Sequence, residues 1–220
     1  MGVTLRFEGD VAVITWDDGE NRFNSKSLAQ LNEALDVLDG VEGPLAVVVT
    51  GTGKYFSNGL DLERFAERPE EFGPVLEGMQ RLFGRILDFP AFTVGALNGH
   101  AFAGGAMFAC TFDYRVMRDD RGYWCINEVE LGLPLNDAMA ALIMGRLPTT
   151  TAREAMLTAR RYDAAAALAG GIVDEITSEG EVLELAIARA TSAATKSREV
   201  MAIHKNQLMG PVARQFTAPR

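Results

Sequence analysis

Two segments, residues 45–50 and 92–97, constrain this chain more than any others. Each is a short, near-continuous apolar run; the first lies between Gly43-Pro44 and Gly51, and the second follows Pro90. Runs of that length without polar alternation fit strands buried on both faces, which require helices packed on either side. The helices are legible too. Leu28, Leu31, Leu35 and Leu38 form a helical stripe with Ser25 as N-cap and Gly40 as stop, and Val75, Met79, Leu82, Phe83 and Ile86 form another over residues 74–88. Strand, helix, strand reads as a crossover unit.

Before this unit, residues 3–8 and 11–16 alternate apolar and polar around Gly9-Asp10, the pattern of a hairpin. After it come a glycine-rich turn at residues 98–105, an apolar helical stretch from Ala106, and strand-like runs at 114–117 and 123–126. Beyond about residue 135, alanine-rich helical segments dominate: 137–146, 150–158, 163–169 and 181–209, with one short strand at 172–176. No repeat or linker divides the chain. The expectation is a single α/β domain.

Composition narrows the function. A formal charge of -9 opposes nucleic-acid binding, which needs a basic footprint. No window approaches the roughly 20 apolar residues of a spanning helix, and the first residues show no secretory pattern, so a cytoplasmic protein is expected, with no membrane partner. Residues 217–220 do not form a peroxisomal address. Cys110 and Cys125 lie in apolar surroundings outside any metal-ligand spacing and read as packing residues. No metal is expected.

Three segments carry candidate chemistry. Gly53 to Leu62, GKYFSNGLDL, and Asn98 to Ala106, NGHAFAGGA, both lie between a buried strand and a helix start, where unpaired amides attract negative charge. Each alone fits plain connection chemistry; together they suit a two-amide oxyanion hole. The third, Asn127 to Pro134, sets Glu128 and Glu130 in an otherwise apolar stretch. Desolvation there raises a carboxyl pKa toward a value useful to a base at neutral pH, although a solvated edge reads equally well.

These segments resemble the motifs of the crotonase (enoyl-CoA hydratase/isomerase) superfamily: F-x-x-G-x-D-L at residues 56–62, N-G-x-A-x-G-G-G at 98–105, and a slightly shortened E-x-x-x-G-x-x-P at 128–134. Residues 151–158 and 164–174 are similar to the helices and strand that follow in that family, so the likeness spans nearly the whole chain. It implies a repeated β-β-α spiral core over about residues 1–175, with a helical trimerisation region over about 176–220. It puts the oxyanion amides at Leu60 and Gly104 and the acid/base carboxylate at Glu128. It lays the coenzyme A of an acyl thioester along Arg22 to Asn24 and along Ser57, Asn58, Gly59, Leu60, Asp61 and Leu62. No cofactor is implied beyond the coenzyme A carried by the substrate, and the implied assembly is a homotrimer or a dimer of trimers.

Hydratases of the family hold a second glutamate where this chain has Met107. Adding water needs two groups, whereas moving a double bond needs one carboxylate that takes a proton from C2 and returns it at C4. The resemblance therefore points to the single-glutamate Δ3,Δ2-enoyl-CoA isomerases. The alternatives are another enolate reaction, such as thioester hydrolysis, decarboxylation or weak hydration, or a non-catalytic acyl-CoA binding subunit. Among the remaining residues, Lys54, Arg64 and Lys205 are the cations to weigh for phosphate contacts, Asp61 is a helix cap, and Glu130 is the runner-up base. His100 and His204 read as non-catalytic. Met79, Met107 and Met139 read as core or acyl-pocket wall.

Overall fold

The computed structural model describes residues 2–217. The chain opens with the hairpin β1 (Gly2–Glu8) and β2 (Val11–Asp17), followed by α1 (Ser25–Asp39). Three β-β-α turns come next. Strands β3 (Ala46–Gly51) and β4 (Tyr55–Ser57) lead to α2 (Leu62–Glu67) and α3 (Phe72–Asp88). Strands β5 (Phe92–Leu97) and β6 (His100–Phe102) lead to α4 (Gly104–Thr111), and β7 (Tyr114–Arg118) and β8 (Trp124–Cys125) to α5 (Glu128–Leu131). Helices α6 (Asp137–Arg146), α7 (Thr149–Thr158) and α8 (Ala164–Ala169), strand β9 (Glu175–Thr177), and helices α9 (Val182–Ala194) and α10 (Arg198–Thr217) complete the domain.

In each turn the first strand enters a six-stranded sheet, ordered β1-β2-β3-β5-β7-β9, and the second enters a parallel three-stranded sheet, β4-β6-β8. The large sheet is antiparallel only where β1 meets β2. This is the repeated β-β-α spiral with C-terminal helices that the resemblance implied. Its central strands read as unbroken apolar runs because both faces are covered. Val11, Val13, Ala46, Val48, Val94, Ala96 and Val116 pack against Val182, Ala186, Ala190 and Ala194 of α9. Their neighbours Ala12, Ile14, Val47 and Val49 share the larger core with α1 and α3.

Several local expectations shift. Asn24, not Ser25, caps α1: its side chain accepts from the Ser27 amide while the Ser27 hydroxyl accepts from the Asn24 amide. The helix expected over 181–209 is two helices, broken at Thr195-Lys196-Ser197, where the Ser197 hydroxyl accepts from the Val200 amide. The second half runs past Pro211 to Thr217 because Met209, Ala213 and Phe216 are buried. Ile172 and Val173 turn into the core, and only Glu175–Thr177 pairs with β7. Both cysteines are buried and free. Among the described residues no helix is long and apolar enough to cross a membrane, and residues 218–220, part of the expected absence of an organelle address, lie outside them.

Lys205, weighed in the sequence for phosphate contacts, is buried on α10. Its ammonium donates to Asp113 at 2.7 Å and to the carbonyls of Ile86 and Ala91, which ties α10 to the end of α3 and to the approach to β7. Arg146 lies 3.5 Å from the same carboxylate. Removing one partner of a buried pair leaves an uncompensated charge, at a cost of about 3–5 kcal/mol. Asp113→Ala, which strands both Lys205 and Arg146, is therefore expected to lower unfolding free energy by about that amount in urea titrations. A loss below about 1 kcal/mol would show the pair to be dispensable.

Candidate active site

The three segments singled out in the sequence converge because each follows one strand of the small parallel sheet: β4 leads to Leu60, β6 to Gly104, and β8 to Glu128. The carboxyl ends of parallel strands lie side by side, so whatever comes next is gathered at one edge.

The first loop is held open by main-chain bonds. The Phe23 amide donates to the Gly59 carbonyl at 2.7 Å and the Asp61 amide to the Phe23 carbonyl at 3.3 Å, an isolated bridge that leaves the Leu60 amide free of both. Gly59 takes φ +74°, which favours glycine. A buried asparagine and a half-buried one clamp the strand behind it. Asn21 donates to the carbonyls of Tyr55 and Phe56, and Asn98 accepts from the Gly51 amide while donating to the carbonyls of Gly53 and Tyr55. Asn21 was missed in the sequence because a buried polar side chain in a loop has no periodic signal.

The second loop packs directly onto the first. A Cβ at Gly105 would stand 2.1 Å from the Ser57 carbonyl oxygen, and one at Gly59 would stand 3.0 Å from the Gly104 nitrogen. The Gly104 amide begins α4 and, like that of Leu60, donates to no acceptor among the described residues. Leu60 and Gly104 both line a cavity of about 530 Å³, and so does Glu128. The lining of the cavity thus includes two residues with unpaired main-chain amides together with a carboxyl group.

Glu128 is only 7% exposed, and its Oε2 has no partner. Burial pushes its pKa up to about 7, within reach of both protonation states at neutral pH. The chain around Glu130 is the helical turn α5, closed by Gly132 at φ +68°; Glu130, the runner-up base, is exposed and outside the cavity lining. Glu63, the other carboxylate of the lining, is exposed and sits 3.4 Å from Arg22. Glu128 is therefore the one buried carboxylate of this cavity. Met107 lines it too, at 2% exposure, alongside Phe72, Leu76, Met79 and Met139.

The other expected binding residues divide. Arg22, Asn58 and Leu62 line the cavity, whereas Asn24, Ser57, Gly59 and Asp61 do not. Asn24 caps α1, the Ser57 hydroxyl donates to the Asn21 carbonyl, Gly59 shapes the turn, and Asp61 caps α2 while pairing with Arg22. Arg22 meets three carboxylates, those of Glu20, Asp61 and Glu63. Of the proposed phosphate cations, Arg64 bonds Glu71 and Lys54 lies 5.3 Å from the Tyr55 ring centre. His100 lies outside the cavity lining; its Nδ1 accepts from the Tyr123 amide, and burial, then Lys54, Arg121 and Arg161, lower its pKa. Sequence reasoning did not anticipate Asn127, which lines the cavity with its side-chain oxygen unpartnered. Among the described residues no group of three or more metal-ligating side chains occurs.

The match to known proteins follows this geometry. The family described as enoyl-CoA hydratase/isomerase aligns with residues 6–219. The chain belongs to that family. It is 35% identical over 210 residues to enoyl-CoA delta isomerase 3 of Arabidopsis thaliana, covering 88% of this chain and 85% of the relative. It is 36% identical over 210 residues to a putative enoyl-CoA hydratase of Thermus thermophilus, covering 92% and 81%. A Mycobacterium tuberculosis protein superposes with a TM-score of 0.92 at 28% identity over 99% of this chain and 92% of its own. It is named a probable enoyl-CoA hydratase in that crystal structure and an enoyl CoA isomerase in its apo structure. The family's names thus span two reactions, and the choice between them rests on the site.

The raised pKa of Glu128 has a consequence for stability. A folded pKa of about 7, above the ordinary 4.5, means the protonated carboxyl is the form the fold prefers. The resulting stabilisation is full below pH 4.5 and is lost as pH rises through 7. Glu128→Gln, which cannot ionise, is expected to be more stable than the parent by about 3 kcal/mol at pH 8 and to match it near pH 4.5. Denaturant melts at both pH values check this; equal stability at pH 8 would show that Glu128 carries no burial penalty.

Proposed function

We propose that this chain is a Δ3,Δ2-enoyl-CoA isomerase working through an enolate. The observation that carries the reading is a single buried carboxyl, Glu128, sharing an apolar cavity with the unpaired amides of Leu60 and Gly104, while Met107 occupies the place of a second glutamate. The carboxylate takes the C2 proton of a 3-enoyl thioester. The electron pair moves onto the thioester oxygen, where the two amides meet the charge, and the dienolate then takes the same proton back at C4. The double bond ends between C2 and C3, and Glu128 is regenerated. The substrate brings its own coenzyme A, and no further cofactor enters the reaction.

The single carboxyl disfavours hydration, which needs a second group to hold and deprotonate water. Hydrolysis, decarboxylation and binding without turnover are the other readings, and a panel of thioesters separates them. We also infer a homotrimer or dimer of trimers; Val200, Ile203 and Leu208, exposed on α10, support further association.

The decisive assay is conversion of 3-enoyl-CoA to 2-enoyl-CoA. Glu128→Gln is expected to fold and bind acyl-CoA while losing turnover by about 100- to 10,000-fold, toward the upper end because one group makes both transfers. Glu130→Gln should be mild. The reverse pattern would reassign the base. Met107→Glu should in turn introduce measurable 3-hydroxyacyl-CoA from 2-enoyl-CoA; a folded, acyl-CoA-binding variant without it would count against the role given to Met107.

A further inference from the structure

An apolar stripe on α3 begins beside Gly104 and runs away from it. A Cβ built on Gly104 would lie 3.0 Å from the Met79 sulfur and 3.6 Å from its methyl carbon, so the thioether stands next to the residue that carries the second unpaired amide. Leu76 and Phe72 follow three and seven residues back along α3, on the same face of the helix, and both line the cavity with Met79. Burial falls along the stripe: Met79 is fully buried, whereas Leu76 and Phe72 are half-buried. Phe72 ends it against Phe65 of α2, with ring centres 5.6 Å apart.

A second wall, from α6 and the segment before it, grades in the same way. Met139 is buried, Leu135 half-buried and Leu133 exposed, and all three line the cavity. A large apolar side chain alone at a surface needs no explanation, but a rim of them continuous with a cavity marks a binding site. Leu62 and Leu131 join Leu133 in that rim, each exposed and each part of the lining. The polar residues of the lining are engaged with one another instead: Arg22 pairs with Glu63, and both Arg22 and Asn58 bond Glu20.

The stripe has a length. From Met79 to Phe72 the helix rises about 10 Å. Bonds of about 1.5 Å at near-tetrahedral angles advance an extended hydrocarbon by about 1.25 Å each, so about eight bonds span it. We propose that the two walls form an acyl channel and that the substrates are 3-enoyl thioesters of about ten or more carbons. The thioester carbonyl meets the amides, and the carbons beyond the double bond lie along Met79, Leu76 and Phe72 toward the apolar rim. Because the rim is open, a longer tail passes into solvent and is not rejected. These contacts are the same in the bound substrate and in the transition state, so they lower KM and leave kcat alone. The proposal rests on the enolate reading for the position of the carbonyl.

Saturated acyl-CoA esters cannot isomerise, so calorimetric titration with hexanoyl-, octanoyl-, decanoyl- and dodecanoyl-CoA reads the channel apart from turnover. Affinity should rise by about three- to fourfold for each methylene added up to decanoyl and level off beyond it. The 3-enoyl-CoA esters of the same lengths should show KM falling in parallel at nearly constant kcat. Phe72→Asp should reduce the preference for decanoyl- over hexanoyl-CoA by about tenfold. Leu133→Asp, at an exposed position on the facing wall, should reduce it too and does not put folding at stake. A flat affinity series overturns the long-chain class, and turnover of the six-carbon 3-enoyl ester then shows that the enolate reading stands. A rising series that neither variant alters overturns the placement of the channel. A rising series without isomerisation at any length overturns the enolate reading and leaves the channel.

Discussion

Main chain resting on main chain, between the turns after β4 and β6, is the contact on which the site depends. Gly105 lies so close to the Ser57 carbonyl that no Cβ fits, and Gly59 lies against the Gly104 amide. Such proximity brings the loops that carry Leu60 and Gly104 onto one cavity. It also ties both loops to the small sheet through main chain rather than through flexible side chains. Asn21 and Asn98 reinforce this by satisfying the carbonyls that the short strand β4 leaves over.

Desolvation is the second constraint, and it acts against stability. Glu128 is buried among apolar walls with an unpartnered oxygen, so its ionised form strains the fold while its protonated form is comfortable. A base for a weakly acidic carbon benefits from that arrangement: it is basic enough to take a proton and acidic enough to return it. The buried pair Lys205–Asp113 shows the contrasting treatment of charge, in which each ion is matched and the pair ties the C-terminal helix to the core. One buried ionisable group is left unmatched in the cavity, and another is matched where it ties two helices together.

Much of this was legible in the chain before any coordinates. The unbroken runs at residues 45–50 and 92–97 could only be central strands, since nothing else buries both faces of so short a segment. The glycines of the two loops, with Glu128 in its apolar stretch, marked segments that the fold gathers around one cavity. The misreadings share one cause, which is that local pattern carries no knowledge of distant partners. Lys205 beside His204 looks like a solvated face until Asp113, 92 residues away, is brought against it. The helix α5 went unread because it is a single turn, too short to leave a periodic trace. Ser25 looked like the cap of α1 because Asn24, one residue earlier, carries the same kind of short polar side chain, and Asn24 takes the cap; Asp61, read as a cap, is one.

The sequence by itself determined the long central strands, the main helices and the family, because periodicity, glycine placement and motif spacing are properties of the chain alone, whereas the three-residue strands β4 and β6 left no such trace. Tertiary structure decided which residues meet, how deeply Glu128 is buried, and that Met107 shares its cavity. Those depend on packing among segments far apart in the chain, and a shifted pKa or a cavity exists only once that packing is made.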